Sequence, residues 1–536
     1  MITIETYRGH IRNWRALGAE LGLWQEMRLA DGSYPILDRE KREKDILVKG
    51  YAVWGKALPD HLHGMFAFAL YDDEKEELFC ARDPFGTKLF YYAKTDDGRL
   101  IFGTMIRDIL ADPGYEKKLN EKMLQIYLTL TYGAGEETFF DGLLKLMPGH
   151  TLTLKGTGVS EHALNRLDGD LQIERYFAPS YAPDETKSKE AWADEIHETL
   201  LAIMKEVKEA DETCHSFLSG GVDSSYVLAV SDAVAGDSCG YDDERFDESH
   251  IAAETAKILG REHNIAKVTP EQFFAEVPFV MENMEQPLAD ASAIVFTLGC
   301  KATAAMTKIC YSGEGADEFF GGYNMYRNAS RYGDNLPNFY VGNTNIMKEE
   351  EKERLLRHYD PSILPIDLVK DIYQENEGLD PLTRMADVDI RIWLEGDIYL
   401  NVDKMSTAAG LEIRMPLTDR RIFDIASRMP ANMKVDETQN KVAFRTAAAK
   451  VLPEEIAFRK KLGFIVPIRI WMADARYNQD MVKRFHSEAA AKFFKVEEID
   501  AIWNEYLGGN SDLWRKLWTI YTFLVWYDIY FGDEAA

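Results

Sequence analysis

Hydrophobic and polar residues follow two different patterns along the chain, and the change between them predicts two domains. Up to about residue 176 the apolar runs are short and separated by polar turns, which is typical of strands. Residues 65–70 and 78–81 are such runs, and the polar residues 72–77 between them predict a β-hairpin. We therefore expect a sheet-rich domain over residues 1–177, followed by a linker at 178–187 that is rich in Pro, Asp, Ser and Lys.

Strand-like and helix-like segments alternate in the second expected domain, residues 188–536. Apolar residues recur at helical spacing over 251–259, ending at Gly260, and over 273–284, entered through Thr269-Pro270. Short strands are expected between the helices, around Ser216, Cys239, Ile265 and Ile309. This alternation predicts a doubly wound parallel sheet with helices on both faces and ligands at the carboxyl ends of the strands. From about residue 350 helical patterns dominate and predict a helical C-terminal extension.

The net charge and the spacing of the cysteines limit the partners and the cysteine chemistry to be expected. The 536 residues include 62 Lys and Arg against 90 Asp and Glu, a net charge of −28, which argues against a nucleic-acid partner. The five cysteines are scattered without a Cys-x-x-Cys spacing, which predicts reduced thiols. Residues 1–14 carry interspersed charges and no apolar core, so no signal peptide is recognised. The apolar run 518–531 is too short, and too interrupted by Asp528, to predict a membrane span. We expect a cytoplasmic protein without a membrane partner.

A glycine-rich turn lies between an expected strand at 214–218 and an expected helix at 226–235. Its sequence is Ser219-Gly220-Gly221-Val222-Asp223-Ser224-Ser225. Glycines let the backbone approach a ligand closely, and the amides that open a helix favour an anion such as pyrophosphate. Asp223 can hold the magnesium ion of a triphosphate. The turn lacks the Gly-Lys-Ser/Thr ending of a Walker A loop and resembles the PP-loop of enzymes that cleave ATP between the α and β phosphates. An ordinary strand–turn–helix corner is the alternative.

A second loop, residues 312–323, follows the strand expected at 308–311 and contains Glu314, Asp317 and Glu318. Carboxylates this close to a polyanion need a metal ion or a cation, so Asp223 and Asp317 are expected to share magnesium with the leaving pyrophosphate. A solvated acidic turn is the alternative. Further along, Lys461 is a candidate to neutralise charge that develops on the α-phosphate, with a surface basic cluster as the alternative.

Together these motifs resemble those of the asparagine synthetase family along nearly the whole chain. They are the PP-loop, Ser312-Gly313-Glu314-Gly315-Ala316-Asp317-Glu318, Asp403-Lys404-Met405-Ser406 and Glu412-Ile413-Arg414-Met415-Pro416-Leu417, and residues 64–92 are similar to the family's glutamine amidotransferase domain. The resemblance implies an N-terminal, truncated Ntn-type α+β sandwich followed by an adenine nucleotide α-hydrolase-like synthetase domain. It also implies ATP and Mg²⁺ as cofactors. Aspartate and ATP would give β-aspartyl-AMP and pyrophosphate, and ammonia would then give asparagine and AMP.

The resemblance further implies roles for individual residues. Glu314 would serve both steps by accepting a proton from ammonia, Lys461 would stabilise the phosphorus transition state, and Glu318 would bind the substrate. Leu218 and Cys239 would contact the nucleotide through backbone atoms. The implied nucleotide-binding residues are Leu218, Ser219, Gly220, Gly221, Asp223, Ser224, Ser225, Cys239, Ser312 and Gly313.

The N-terminal segment departs from the family at the glutaminase site. Glutamine-hydrolysing members begin with a cysteine after the initiator methionine, whereas this chain begins Met1-Ile2-Thr3 and its first cysteine is Cys80. Arg8 and His10 replace the Asn and Glu of the family's Asn-Gly-Glu stretch, and Glu43-Lys44-Asp45 lies where an Asp-Thr-Glu triplet is expected. A misassigned start would explain the missing cysteine but not these substitutions. We predict a degenerate domain without glutaminase activity and ammonia from solution or from a partner glutaminase.

Three alternatives to this ligase stay open. A close variant would activate another carboxylate, as β-lactam-forming and peptide-cyclising relatives do. A PP-loop enzyme that modifies tRNA is disfavoured by the negative charge. A non-enzymatic binding protein is opposed by the joint retention of Asp223, Glu314, Asp317 and Lys461. Aspartate and ammonia are the expected partners, and a homodimer is left open.

Overall fold

The computed structural model describes residues 1–24, 39–160, 162–208, 213–460 and 465–532. It contains two compact units, one of residues 1–119 and 135–180 and the other of residues 120–134 and 181–536. The stretch 120–134 thus belongs to the second unit, whereas the division at residue 177 placed it in the first domain. Its helix, Lys122–Leu130, is buried over nearly all of its surface and must pack on other elements. Tyr127 of this helix lies 2.6 Å from Thr522, hydroxyl to hydroxyl.

The first unit is built on an antiparallel sheet. Its described strands are β1 Ile2–Ile11, β2 Gly64–Asp72, β3 Glu77–Arg82, β4 Tyr91–Lys94, β5 Leu100–Gly103, β6 Leu143–Lys145, β7 His150–Ser160, β8 Ala163–Leu167 and β9 Gln172–Arg175. They follow the order β1-β2-β3-β7-β8-β5-β4-β6, with β9 also paired to β7. The four helices described in this unit are α1 Trp14–Glu20, α2 Arg39–Trp54, α3 Leu58–His61 and α4 Ile106–Leu110.

The hairpin expected at 65–81 is confirmed, since β2 and β3 pair antiparallel with Asp72 opposite Glu77. Both faces of β2 are buried. Phe66, Phe68 and Leu70 contribute to one hydrophobic cluster, and the alternate residues Ala67, Ala69 and Tyr71 contribute to another. Because successive side chains of a strand point to opposite faces, a strand covered on both sides has a continuous apolar run.

The second unit contains the expected parallel sheet. Its strands are β10 Cys214–Phe217, β11 Ala235–Gly240, β12 Glu262–Lys267, β13 Ile309–Tyr311 and β14 Glu412–Arg414. They follow the order β12-β11-β10-β13-β14, and every neighbouring pair is parallel. Strand β14 lies where helical patterns were expected to dominate, because a three-residue strand has no periodicity that the sequence can display.

Helices make up most of the remainder. They are α5 Lys122–Leu130, α6 Lys189–Val207, α7 Val222–Val230, α8 Ser249–Ile258, α9 Pro270–Met284, α10 Ser292–Ala304, α11 Ala316–Phe320, α12 Glu349–Leu355, α13 Lys370–Glu375, α14 Pro381–Val388, α15 Leu400–Ala409, α16 Arg420–Ala426, α17 Ala431–Lys434, α18 Val442–Ala448, α19 Glu454–Ala457, α20 Ile468–Trp471, α21 Gln479–Phe485, α22 Glu488–Phe493, α23 Val496–Leu507 and α24 Trp514–Phe531, with a π-helical stretch at Asp389–Tyr399. None of the helices in the described ranges is long and apolar enough to cross a membrane.

Local signals placed several helix ends correctly. Helix α9 begins with a capping box in which the Gln272 amide donates to Thr269 Oγ1 (3.3 Å) and the Thr269 amide donates to Gln272 Oε1 (3.0 Å). The helix expected at 226–235 is wrong at both ends, because α7 already begins at Val222 and ends at Val230. The Ser231 hydroxyl donates to the Leu228 carbonyl (3.1 Å), and the backbone then extends into β11.

Candidate nucleotide site

The PP-loop leaves the carboxyl end of β10 and is held by its own hydroxyls. The Ser219 amide donates to Ser224 Oγ (3.2 Å), and the Gly221 amide donates to Ser219 Oγ (3.3 Å). Gly220 has a φ of +79°, and a Cβ there would lie 2.7 Å from Ile251, so only glycine fits without strain. Gly221 is the N-cap of α7, and the amides that open this helix are directed as an anion site requires.

The second loop packs directly on the PP-loop. It follows β13, the strand next to β10, and a Cβ at Gly313 would lie 3.0 Å from both the carbonyl carbon of Asp223 and the amide nitrogen of Ser224. Gly315 has a φ of +91° and turns the chain into α11, which carries Asp317 and Glu318. The two loops predicted from the sequence therefore form one site at the carboxyl ends of adjacent strands.

Lys441 joins the acidic groups of the two loops. Its Nζ lies 2.5 Å from Asp223 Oδ2 and 2.7 Å from Asp317 Oδ1, and its side chain is 2% exposed. Burial alone would lower the pKa of Lys441, but the two carboxylates outweigh it and the pKa is raised. Gly322 makes room for this arrangement, since a Cβ there would lie 1.7 Å from Asp317 Oδ1 and 2.3 Å from Lys441 Cε.

The motifs did not assign a role to Lys441, because its partner Asp223 is 218 residues away and no local pattern marks a lysine that follows Asn440. Its position also bears on the metal. Both carboxylates contact one ammonium group, so their oxygens lie within about 5 Å of each other, and carboxylate oxygens are the ligands Mg²⁺ prefers. The residues present therefore fit a magnesium ion shared with phosphate groups.

The acids of the second loop differ in how deeply they are buried. Glu318 is 2% exposed, and burial followed by the charge of Asp317 raises the pKa of Glu318 to about 8. Tyr323 donates to Glu318 Oε1 (2.6 Å) and accepts from the indole of Trp393 (3.2 Å). Glu314 is half-buried, and one of its oxygens accepts from Ser312 Oγ (3.4 Å).

The other residues that the resemblance assigns to the nucleotide site differ in the contacts they make. The Leu218 amide donates to the Asp237 carbonyl of β11 (2.8 Å), so a nucleotide contact would use the Leu218 carbonyl. Cys239 lies on β11, its thiol contacts the Val295 carbonyl, and burial raises its pKa to about 12. Lys461 lies outside the described residues. Arg459, a described residue, donates to the Gly220 carbonyl of the PP-loop (2.9 Å).

The two other motifs that resemble those of the family, residues 403–406 and 412–417, contact other segments of the second unit. The Ser312 amide donates to the Arg414 carbonyl (3.0 Å), so β14 holds the start of the second loop. Arg414 is 1% exposed and donates to Glu412 and to the Val207 carbonyl. Lys404 forms a completely buried ion pair with Glu285, the residue that closes α9.

In the first unit, His10 and Glu43, at two of the positions that the resemblance assigns to glutamine binding, contact each other. Glu43 is 1% exposed; its carboxylate accepts from Tyr7 OH (2.8 Å) and from the Ile11 amide (3.0 Å), and His10 Nδ1 lies 3.2 Å away. Cys80 is fully buried in β3, and burial raises the pKa of its thiol well above the usual range. Such a thiol is not a nucleophile.

The structure contains an antiparallel, sheet-based unit and an α/β unit with a parallel sheet, which carries the candidate nucleotide site. The family description "Asparagine synthase" matches residues 195–528, and "Glutamine amidotransferase domain" matches residues 6–164. The chain belongs to the asparagine synthase family of amide-forming ligases.

The chain is also similar to named relatives, two of them asparagine synthetases and one an amidase. The chain is 29% identical to asparagine synthetase (glutamine-hydrolyzing) 1 of Bacillus subtilis, over 91% of this chain and 81% of that protein. It is 26% identical to asparagine synthetase (glutamine-hydrolyzing) 3 of the same organism, over 78% and 70%. It is 29% identical to the amidase chry2 of Gibberella zeae, over 53% of this chain and 43% of that protein.

Proposed function

We propose that this chain synthesises asparagine from aspartate, ATP and ammonia, with release of AMP and pyrophosphate. The observation that carries the proposal is the junction of the two loops, where Gly313 packs on Asp223 and Ser224 and Lys441 contacts both Asp223 and Asp317. A PP-loop and an acidic loop joined in this way suit the activation of a carboxylate by ATP. Relatives named asparagine synthetase support aspartate as that carboxylate.

The first step forms the adenylate. A β-carboxylate oxygen of aspartate attacks the α-phosphorus, the bond to the β-phosphate oxygen breaks, and pyrophosphate leaves. The amides of the PP-loop and the hydroxyls of Ser219 and Ser224 would bind the leaving group. Magnesium held by Asp223 and Asp317 would supply charge neutralisation there.

The second step forms the amide. Ammonia attacks the acyl carbon, the bond to the phosphate oxygen breaks, and AMP leaves. Glu314, on the second loop, would accept the proton that the ammonia nitrogen loses. Lys461 would act on the α-phosphate in the first step.

We infer that the nitrogen is free ammonia and that glutamine is not hydrolysed. Glu43, at the position expected to bind glutamine, is already occupied by Tyr7, His10 and the Ile11 amide. These internal contacts use carboxylate oxygens that the ammonium group of a bound glutamine would need. The first unit would then act as a structural platform.

The test is asparagine, AMP and pyrophosphate formation by the purified chain with ATP, Mg²⁺ and aspartate, and with either ammonium chloride or glutamine. We expect product with ammonium only. Glu314→Gln should lower the rate by about 10²–10⁴-fold, as loss of a general base does, whereas Glu350→Gln, at an exposed position of α12, should leave it unchanged. Full activity of Glu314→Gln would refute the role assigned to Glu314. Glutamate release from glutamine would refute the inference that the first unit is only a structural platform.

A further inference from the structure

Helix α18 carries a buried guanidinium group, that of Arg445, which no sequence motif singled out. Arg445 is 5% exposed. Its Nε donates to the Asn440 carbonyl (2.8 Å), and its Nη1 donates to the carbonyls of Ala457 and Arg459 (2.8 Å each). Within the described ranges its side-chain hydrogen bonds all end on backbone carbonyls, and it forms no ion pair there. A buried cation that is not paired with a carboxylate is costly, so this arrangement indicates a role beyond packing.

One of these hydrogen bonds fixes the turn from which Lys441 reaches the two loops. Lys441 has a φ of +59°, a conformation that residues other than glycine rarely adopt and that persists only where neighbouring contacts hold it. The carbonyl just before Lys441 accepts from Arg445, and the side-chain amide of Asn440 donates to the Gly322 carbonyl (2.8 Å) at the end of the second loop. The backbone that carries Lys441 is therefore held from two sides, one of which is Arg445.

The other two hydrogen bonds fix the backbone of Arg459, whose side chain contacts the PP-loop. The Arg459 guanidinium donates to the Gly220 carbonyl (2.9 Å) and to Thr255 Oγ1 (3.2 Å). A long side chain reaches a given point reproducibly only when its backbone is fixed. Because a guanidinium presents its donors in a rigid planar fork, Arg445 can hold the turn before Lys441 and the backbone of Arg459 at the same time.

The charge of Arg445 also acts on the acids of the site. Burial lowers the pKa of Arg445, and the charges of Asp223 and Asp317 oppose this lowering. The two carboxylates are thus close enough to interact with the guanidinium electrostatically, although the ammonium group that contacts them belongs to Lys441. Positive charge that is fixed in advance beside a phosphate site favours the bound polyanion without any rearrangement.

We propose that Arg445 is a positioning residue for ATP, which holds Lys441 and Arg459 against the two loops of the nucleotide site. The inference rests on the proposed function and adds to it a residue that acts through the backbone of two others. ATP affinity should therefore depend on the shape of the Arg445 side chain as well as on its charge. Lysine keeps the charge but cannot donate to three carbonyls in the fixed directions of a guanidinium.

The test measures the affinity for ATP in two ways, as the KM in aspartate-dependent exchange of labelled pyrophosphate and as the Kd in calorimetric titration with ATP and Mg²⁺ alone. Arg445→Lys and Arg445→Met should each raise both values by about 10- to 100-fold, as misplacement of binding groups does. The matched control is Arg484→Met, which removes a guanidinium paired with Asp480 and Asp528. It should lower the melting temperature and leave both values unchanged.

A double variant separates positioning from a general loss of structure. If Arg445 acts in part through Arg459, the Kd of Arg445→Met combined with Arg459→Met should equal that of Arg445→Met alone. Independent contributions would instead multiply the two single effects. If Arg445→Met does not fold, Arg445→Lys takes its place in the same comparison.

Wild-type affinity for ATP in Arg445→Lys and Arg445→Met would overturn the proposal, as would single effects that multiply in the double variant. If the wild type binds ATP but no exchange occurs, the ligase function fails, and the calorimetric affinities of the variants decide the role of Arg445. If the wild type does not bind ATP, the nucleotide site and the role of Arg445 fail together.

Discussion

Replacing Lys441 by methionine tests the arrangement on which the nucleotide site depends. The change keeps much of the side-chain volume and removes the ammonium group that lies 2.5 Å from Asp223 and 2.7 Å from Asp317. Two carboxylates would then face each other without the ammonium group between them. Removing one partner of a buried ion pair destabilises a protein by about 3–5 kcal/mol. Because each carboxylate side chain is 23% exposed, we expect a loss of about 2–4 kcal/mol in the free energy of unfolding.

Magnesium should restore part of this loss. In the wild type the ammonium group lies between the two carboxylates and competes with the metal ion, whereas in Lys441→Met this competitor is absent. A ligand that binds only the folded state stabilises it according to its affinity and concentration. Millimolar Mg²⁺ without nucleotide should therefore raise the melting temperature of Lys441→Met more than that of the wild type.

The matched control is Lys352→Met, which removes a lysine that is equally buried but paired with Glu349 at 2.6 Å. It should be destabilised without any particular response to Mg²⁺. Thermal melting and urea unfolding, each with Mg²⁺ and with EDTA, measure the stability of each variant and its response to Mg²⁺. Wild-type stability in Lys441→Met, or a Mg²⁺ response equal to that of Lys352→Met, would refute the reasoning.

Three further changes test other parts of the site. Gly313→Ala places a Cβ 3.0 Å from the PP-loop backbone and should raise the KM for ATP about 10-fold in the exchange assay; an unchanged KM would mean that the loops need not touch. The pKa of Glu318 is about 8 in the folded chain, against an ordinary value of 4.5. Between these two pH values the folded state holds a proton that the unfolded state has released. The contribution of Glu318 to stability is therefore lost as pH rises from 4.5 through 8. Glu318→Gln should therefore gain stability relative to the wild type between pH 5 and pH 9 in thermal melts, and parallel curves would contradict the shift. Lys404→Met removes the ammonium group that faces the buried Glu285 carboxylate and should lose about 3–5 kcal/mol in urea unfolding, most of which Glu285→Gln in the same chain should recover.

Much of the fold follows from local signals. The apolar runs on either side of residues 72–77 predicted the hairpin of β2 and β3, and the Thr269-Pro270 start predicted α9. The order of strand, glycine-rich turn and helix predicted the PP-loop and its place at the carboxyl end of β10. Each of these features depends on residues within about one turn or one strand of each other, so the sequence displays them directly.

The features that join distant segments were not visible in the sequence. The contact of Lys441 with Asp223 spans 218 residues, and β14 becomes a strand only because β13 is there to pair with it. Residues 120–134 belong to the second unit because an apolar helix needs a partner surface, not because of their place in the chain.

By itself, the sequence determined the glycine turns, the carboxylates and the alternation of strand and helix, because these are chemical and periodic properties of short segments. Only the tertiary structure decided that Lys441 neutralises two loops, that Glu43 is occupied by Tyr7 and His10, and that Arg445 holds the backbone of two distant segments. Burial and charge pairing are properties of the packed chain. They depend on which distant side chains exclude water from the same place.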